Sequence, residues 1–222
     1  MPVITIRGNL GSGASLIGRQ VAERLGIDYI DRQIIAQVAE RLNEQTQEVL
    51  AKEMPPGSLW GRIVQAFGLG NPVAGSYTPE AGFILHYSGA YLPAWQIPLD
   101  DTRYLSGLES VIKELASSQS AVICGRGSQF ILKHHPGALH VLIIAPLELR
   151  VERVMQSTGK DRESAEKEIA HSDGRRCEFV RRYFQADMED PVHYDLVLNT
   201  QHLGFEDAAS IIIHALQFKN VK

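Results

Sequence analysis

"GNLGSGAS", Gly8 to Ser15, decides how this chain is read. It follows a β-branched run, Val3-Ile4-Thr5-Ile6, and precedes a segment in which Leu16, Ile17, Val21 and Leu25 recur at helical spacing before Gly26. A strand buried on both faces, a glycine turn and a helix stopped by glycine are therefore predicted. Glycines tolerate positive φ and turn successive backbone N–H groups inward, and a helix N-terminus adds partial positive charge. The stretch thus predicts an anion nest formed by Gly8, Gly11, Ser12, Gly13, Ala14 and Ser15.

Two glycine patterns compete for it. The dinucleotide pattern G-x-G-x-x-G starts at Gly11 and Gly13 but meets Leu16 where its third glycine belongs. The phosphate-loop pattern G-x-x-x-x-G-K-[ST] is met at Gly8, Gly13 and Ser15 and departs from it at Ala14, where a lysine would follow the β- and γ-phosphates. The phosphate loop is the better match, with Ser15 placed to reach magnesium. Transfer chemistry at such a loop needs a cation from elsewhere in the chain, and a plain packing turn is the competing reading.

The rest of the sequence carries the alternation onward. "DYID" (Asp28 to Asp31), "AVIC" (Ala121 to Cys124), "LHVLIIA" (Leu139 to Ala145) and "YDLVLNT" (Tyr194 to Thr200) read as four further strands. Helical spacing lies between them: Ile34 to Leu42, Tyr104 to Leu115, Glu148 to Met155, and a last helix from about Phe205 to Phe218. The predicted fold is α/β, a five-stranded parallel sheet with helices on both faces. One domain over residues 1–222 is expected, with an insertion at 54–100 and a charged, lid-like region at 159–187. The insertion holds six of the ten prolines and seven of the 19 glycines, yet also Trp60, Phe67, Tyr77, Phe83, Tyr87, Tyr91 and Trp95. Such aromatic bulk argues against a flexible linker, so an ordered insertion is expected, with a short helix near Leu59 to Phe67. It would pack on the main domain or on a second subunit of a homo-oligomer.

A net charge of −4 gives no global pull toward nucleic acid or an anionic membrane. Cys124 and Cys177 are too few for a disulfide framework, and no apolar run approaches a membrane span. A soluble, unprocessed, cytoplasmic protein is expected, with neither nucleic acid nor membrane as partner. The adjacent His134 and His135 lie in no zinc-binding pattern.

Four segments occur in an order that resembles the cytidylate kinase-like family of P-loop proteins, related to the nucleoside monophosphate kinases: "PVITIRGNLGSGASLIGRQVAERLGIDYIDRQII", "AVICGRGSQFIL", "GRRCEFVRRYF" and "DPVHYDLVLNT". Members of that branch often lack the loop lysine. The resemblance implies ATP-dependent, magnesium-assisted phosphoryl transfer to a small nucleotide acceptor, most naturally a nucleoside monophosphate. It implies that Asp31 contacts the acceptor's sugar or base, unless that carboxylate is simply an N-cap of the helix entered at Arg32. It places Arg126, in "GRG", toward the acceptor phosphate, where a guanidinium fork grips oxygens, and makes it one of the catalytic cations. Lid arginines close over the reaction: Arg175 and Arg182, seven apart on one helical face, as catalytic cations, and Arg176 and Arg181 on the acceptor. The bland alternative pairs these charges with Asp173 and Glu178 on a solvated helix. Cys124 stands where the family pattern has an aspartate. With Ala14, it keeps open a catalytically degenerate nucleotide-binding or regulatory protein, or a scaffold working through the insertion.

Overall fold

The computed structural model describes residues 1–31 and 102–219. The insertion, its short helix and the Ile34 to Leu42 segment lie outside the described residues. Two compact units divide the chain, Met1–Ile35 with Ala116–Lys222, and Ala36–Leu115. In the second, the described residues belong to one helix, which crosses the boundary. This helix, α2, spans Thr102–Ser118 and buries Leu108, Val111, Ile112 and Leu115, a stripe at the spacing the sequence predicts.

The first unit is a parallel sheet. Its strands are β1 (Val3–Gly8), β2 (Asp28–Ile30), β3 (Ala121–Cys124), β4 (Ala138–Ile144) and β5 (Leu196–Asn199), in the order β2-β3-β1-β4-β5. Helix α1 covers Ala14–Leu25, α3 Ser128–Ile131, α4 Leu147–Thr158, α5 Arg162–Phe184 and α6 Phe205–Lys219. β1 is central, with Ile4 opposite Val122 of β3 and Leu139 of β4. The chain leaves β1 toward one side of the sheet and later returns to its other side, so the crevice beyond Gly8 is the topological switch point where ligands gather.

One face of the sheet is dry. Ile4, Ile6, Val122, Val141 and Ile143 pack with Ile17 and Val21 of α1 and with Ala209, Ile212 and Leu216 of α6. Full burial of Ile17 or Val21 contributes about 1.5–3 kcal/mol each, which fixes α1, and therefore the loop before it, to the sheet. The opposite face is more polar. The Thr5 hydroxyl and His140 Nδ1 share a hydrogen bond of 2.8 Å, and burial holds the His140 imidazole below its ordinary pKa. The β-branched run predicted to end at Ile6 continues through Arg7, which is buried, with Nη2 donating to Asn9 Oδ1 at 2.8 Å. β5 begins two residues later than expected. Tyr194 instead donates from its hydroxyl to the Met188 carbonyl at 2.6 Å, closing the turn before the strand.

The charged region after Gly159 forms one 23-residue helix, α5, capped by Asp161, whose side chain accepts from the Ser164 N–H. Its mostly polar sequence buries a short apolar row: Ala165 and Ile169 meet Val151 and Val154 of α4, and Leu10 of the glycine loop joins them. No helix among the described residues is long and apolar enough to cross a membrane.

Candidate functional site: a glycine cradle held from outside

The loop from Gly8 to Ser15 sits at the carboxyl end of β1. Gly13, at the N-cap of α1, has φ 90°, and a Cβ there would stand 2.4 Å from the Phe205 ring. Any other residue would pay for both the left-handed backbone and the clash. A Cβ on Gly8 would stand 2.4 Å from Ser12 Oγ and 2.6 Å from Ala14 Cβ. The two glycines let the loop fold back tightly on itself, and the Ser12 N–H donates to the Asn9 carbonyl at 3.0 Å.

What holds the loop comes from far along the chain. Arg153 Nη1 donates to the Gly11 carbonyl at 3.2 Å and to Thr200 Oγ1 at 2.9 Å, and its guanidinium lies 4.9 Å from the centre of the Phe205 ring. The Thr200 hydroxyl donates to the Ser12 carbonyl at 2.9 Å. Arg150 Nη1 donates to the Leu10 carbonyl at 3.3 Å and to Asp173 Oδ2 at 2.5 Å. Asp173 Oδ1 accepts from the Leu10 N–H at 3.2 Å. Arg176 Nη1 donates to the Gly8 carbonyl at 2.9 Å and lies 3.7 Å from Asp173. The carbonyls of Gly8, Leu10, Gly11 and Ser12 are thus engaged by side chains of α4, α5 and the end of β5. Four carbonyls of the loop are thereby held by side chains, while the Leu10 and Ser12 N–H groups are held by Asp173 and Asn9; an anion nest would use the N–H groups from Gly13 onward.

Ala14, the first residue of α1, is buried, whereas Ser15 is exposed at the helix start. Beside Ser15 lies a small polar cluster. The Tyr29 hydroxyl, shielded from solvent, faces the Cys124 thiol and the Ser15 hydroxyl. Burial, reinforced by the thiol and then by Asp31, pushes the Tyr29 phenol well above its ordinary pKa. Burial likewise pushes the Cys124 thiol up, although the Tyr29 and Ser15 hydroxyls and the Arg176 charge oppose the shift. Both groups are neutral at physiological pH, so Cys124 brings no negative charge to the place where the family pattern has a carboxylate. Asp31, just beyond β2, acts on both electrostatically.

Arg126 follows β3 in a left-handed conformation, φ 57°, between Gly125 and Gly127, which are left-handed too. For an arginine this conformation costs about 1–2 kcal/mol, at a turn that follows the carboxyl end of β3. Arg175 and Arg176 are half-buried in α5, and Arg181 and Arg182 are exposed near its end. The Arg182 guanidinium lies 5.8 Å from the Tyr183 ring centre. Arg181 lines an open groove with Cys177, Gln185, Asp187 and Met188.

The fold therefore brings Gly8 to Ser15, Asp31, Cys124 and Arg176 together. Sequence reasoning missed Arg150, Arg153, Thr200 and the anchoring role of Asp173. Two arginines three apart on the helix after β4, and a threonine at the end of β5, were the available signals.

Residues that fit magnesium are few, because no group of three His, Cys, Asp or Glu able to hold a metal occurs among the described residues. The exposed Ser15 hydroxyl at the start of α1 fits a magnesium ion held mainly by substrate phosphates and water.

A parallel sheet of this order, with a glycine cradle after its first strand, makes this a P-loop kinase-type α/β domain. More particularly, the chain belongs to the cytidylate kinase-like family, whose model matches residues 3–202. A cytidylate kinase from Archaeoglobus fulgidus is 25% identical over 99% of this chain and 97% of its own length. A uronate isomerase from Corynebacterium glutamicum is 35% identical over 44% of this chain, but the match spans only 19% of that protein. Among solved structures, an uncharacterized protein from Eubacterium ventriosum superposes with a TM-score of 0.67 at 17% identity, covering 98% of this chain and 99% of its own. That likeness speaks to fold.

Proposed function

We propose that this protein transfers the γ-phosphoryl group of ATP to a small acceptor, a nucleoside monophosphate such as CMP. The observation that carries the reading is the glycine loop at the switch point, shaped as an anion nest and held by arginines from α4 and α5. Backbone N–H groups from Gly13 to Ser15 would bind the donor phosphates, the Ser12 N–H being held by the Asn9 carbonyl, and Ser15 would take magnesium, which neutralises phosphate charge when bound. Arg126 would grip the acceptor phosphate, with Asp31 on the acceptor's sugar or base. Arg175, Arg176, Arg181 and Arg182 would close from the lid side. An acceptor phosphate oxygen attacks the γ-phosphorus while the bond to the β,γ-bridging oxygen breaks and ADP leaves. The protein's share is positioning and charge stabilisation.

A second reading is a nucleotide-binding protein without turnover. Buried Ala14 and the neutral Cys124 favour it. Turnover with ATP over a panel of nucleoside monophosphates, with ATP binding measured in parallel, separates the two. Transfer to at least one monophosphate is expected; tight ATP binding with turnover of none would establish the second reading instead.

A further inference from the structure

We infer that the Tyr29 hydroxyl sets the Ser15 hydroxyl for magnesium: by accepting the Ser15 proton in a hydrogen bond, it leaves the lone pairs of Ser15 Oγ for the ion. Tyr29 then acts through Ser15, as a positioning residue that touches no nucleotide. The role rests on the phosphoryl-transfer reading, which puts Ser15 on magnesium, and adds the side chain that readies it.

The face of α1 fixes where the Tyr29 ring lies. A Cβ on Gly18 would stand 3.0 Å from Tyr29 Cε2, and the Arg19 guanidinium lies 5.3 Å from the centre of the ring. On a helix, residue 15 shares a face with residues 18 and 19, so Ser15 is the next position toward the loop along the surface the ring covers. Glycine inside a helix is destabilising, and at position 18 it makes room for the ring. The sheet supplies the other wall. Tyr29 pairs with Val122 in the register of β2 and β3, and Val122 also meets the Gly18 position. Cys124, two residues on, shares that face of β3. Tyr29, Cys124 and Ser15 thus converge at the carboxyl end of the sheet.

What the Tyr29 hydroxyl lacks points to its use. It is cut off from solvent and has no partner at hydrogen-bond geometry, a costly condition for a buried hydroxyl. The polar side chains it faces are the Cys124 thiol and the Ser15 hydroxyl. A thiol is a weak partner, whereas Ser15 is exposed at the helix start and can turn about its one side-chain bond. A serine hydroxyl carries one proton and two lone pairs. Giving the proton to Tyr29 satisfies the buried oxygen and keeps both lone pairs for an ion. No group of three His, Cys, Asp or Glu among the described residues could hold that ion instead, so the orientation of this single hydroxyl matters.

Four proteins test the assignment: wild type, Tyr29→Phe, Ser15→Ala and the double variant. Phenylalanine keeps the ring against Gly18 and Arg19 and removes one oxygen, and thermal melts check that each protein folds. A non-hydrolysable ATP analogue is titrated by calorimetry in EDTA and at rising magnesium. Wild type is expected to bind it more tightly with magnesium than without. Tyr29→Phe is expected to match wild type in EDTA and to need about tenfold more magnesium for half of that tightening, the scale of one hydrogen bond. In the Ser15→Ala background, Tyr29→Phe is expected to change nothing further. A wild-type magnesium response in Tyr29→Phe overturns the assignment, as does an equal loss in EDTA and in magnesium, which marks a packing role. A further loss in the double variant, or a wild type that gains no affinity from magnesium, overturns it too. Turnover is read separately: magnesium-tightened binding without transfer to any monophosphate would sink the phosphoryl-transfer reading and leave the magnesium titration to decide Tyr29.

Discussion

Asp173→Ala removes the carboxylate on which the outer support of the loop converges. Its partner Arg150 has only 10% of its side chain exposed and Asp173 only 17%, with Nη1 and Oδ2 2.5 Å apart. Without Asp173, Arg150 keeps the 3.3 Å bond to the Leu10 carbonyl, and its Nε is already buried without a partner. Breaking a fully buried pair by removing one member costs about 3–5 kcal/mol, and the residual exposure here favours the lower end. The Leu10 N–H loses its acceptor as well, worth about 1 kcal/mol. A total near 3–4 kcal/mol should lower Tm by roughly 10 °C for a chain of this size. Calorimetry and urea midpoints measure it. Adding Arg150→Met should return part of the loss, because the stranded charge goes with it. ATP-analogue affinity should fall in the single variant, since the Leu10 and Gly8 ends of the loop lose their shared anchor. A single variant within about 0.5 kcal/mol of wild type, or a double variant no more stable than the single, would refute the reasoning.

The turn after β3 yields a comparison of two variants at one site. Arg126→Gly should be about 1 kcal/mol more stable than Arg126→Ala, because only glycine adopts φ 57° without strain, while both lose acceptor affinity and keep ATP affinity; equal stabilities in chemical denaturation would count against the strain, and a parallel loss of ATP binding against the acceptor role. Alkaline pH tests the cluster beside Ser15. Cys124 and Tyr29 hold their protons in the folded state above the ordinary values of 9.0 and 10.0. The unfolded chain releases those protons first, so it binds fewer protons and folding stability falls as pH rises beyond about 9. A Cys124→Ala, Tyr29→Phe protein should show a shallower fall in urea midpoint between pH 8 and 10, and an unchanged slope would place the alkaline loss elsewhere.

Much of the frame could be read from the chain because it is written in local pattern. Val3 to Ile6, Ala121 to Cys124 and Leu139 to Ile144 are largely apolar and lie in the sheet, and the stripe from Leu108 to Leu115 is buried as its spacing requires. Local pattern fails where a tertiary partner decides. Arg7 looks like the end of a strand, yet its guanidinium donates to the Asn9 side-chain oxygen and the strand runs on to Gly8. Tyr194 has strand propensity, but its hydroxyl is tied to Met188 and Gln129, which keeps it in the preceding turn. The short helix α3 hides behind two glycines and carries too few residues to show a period. Within the site, the glycines and Ser15 were legible through spacing alone. Asp173, Arg150, Arg153 and Thr200 were not, because each meets the loop across more than 130 residues of sequence.

Those long-range ties bear on how the loop can be transplanted. An eight-residue segment, "GNLGSGAS", looks like a portable module. Its shape is stored largely in α4, α5 and the end of β5, whose side chains clasp its carbonyls as a mould clasps a casting. Grafted alone onto another strand–turn–helix scaffold, the segment would carry its vocabulary without its grammar. Drift at residues 150, 153, 173, 176 or 200 could unmake the cradle while every glycine in it stayed in place.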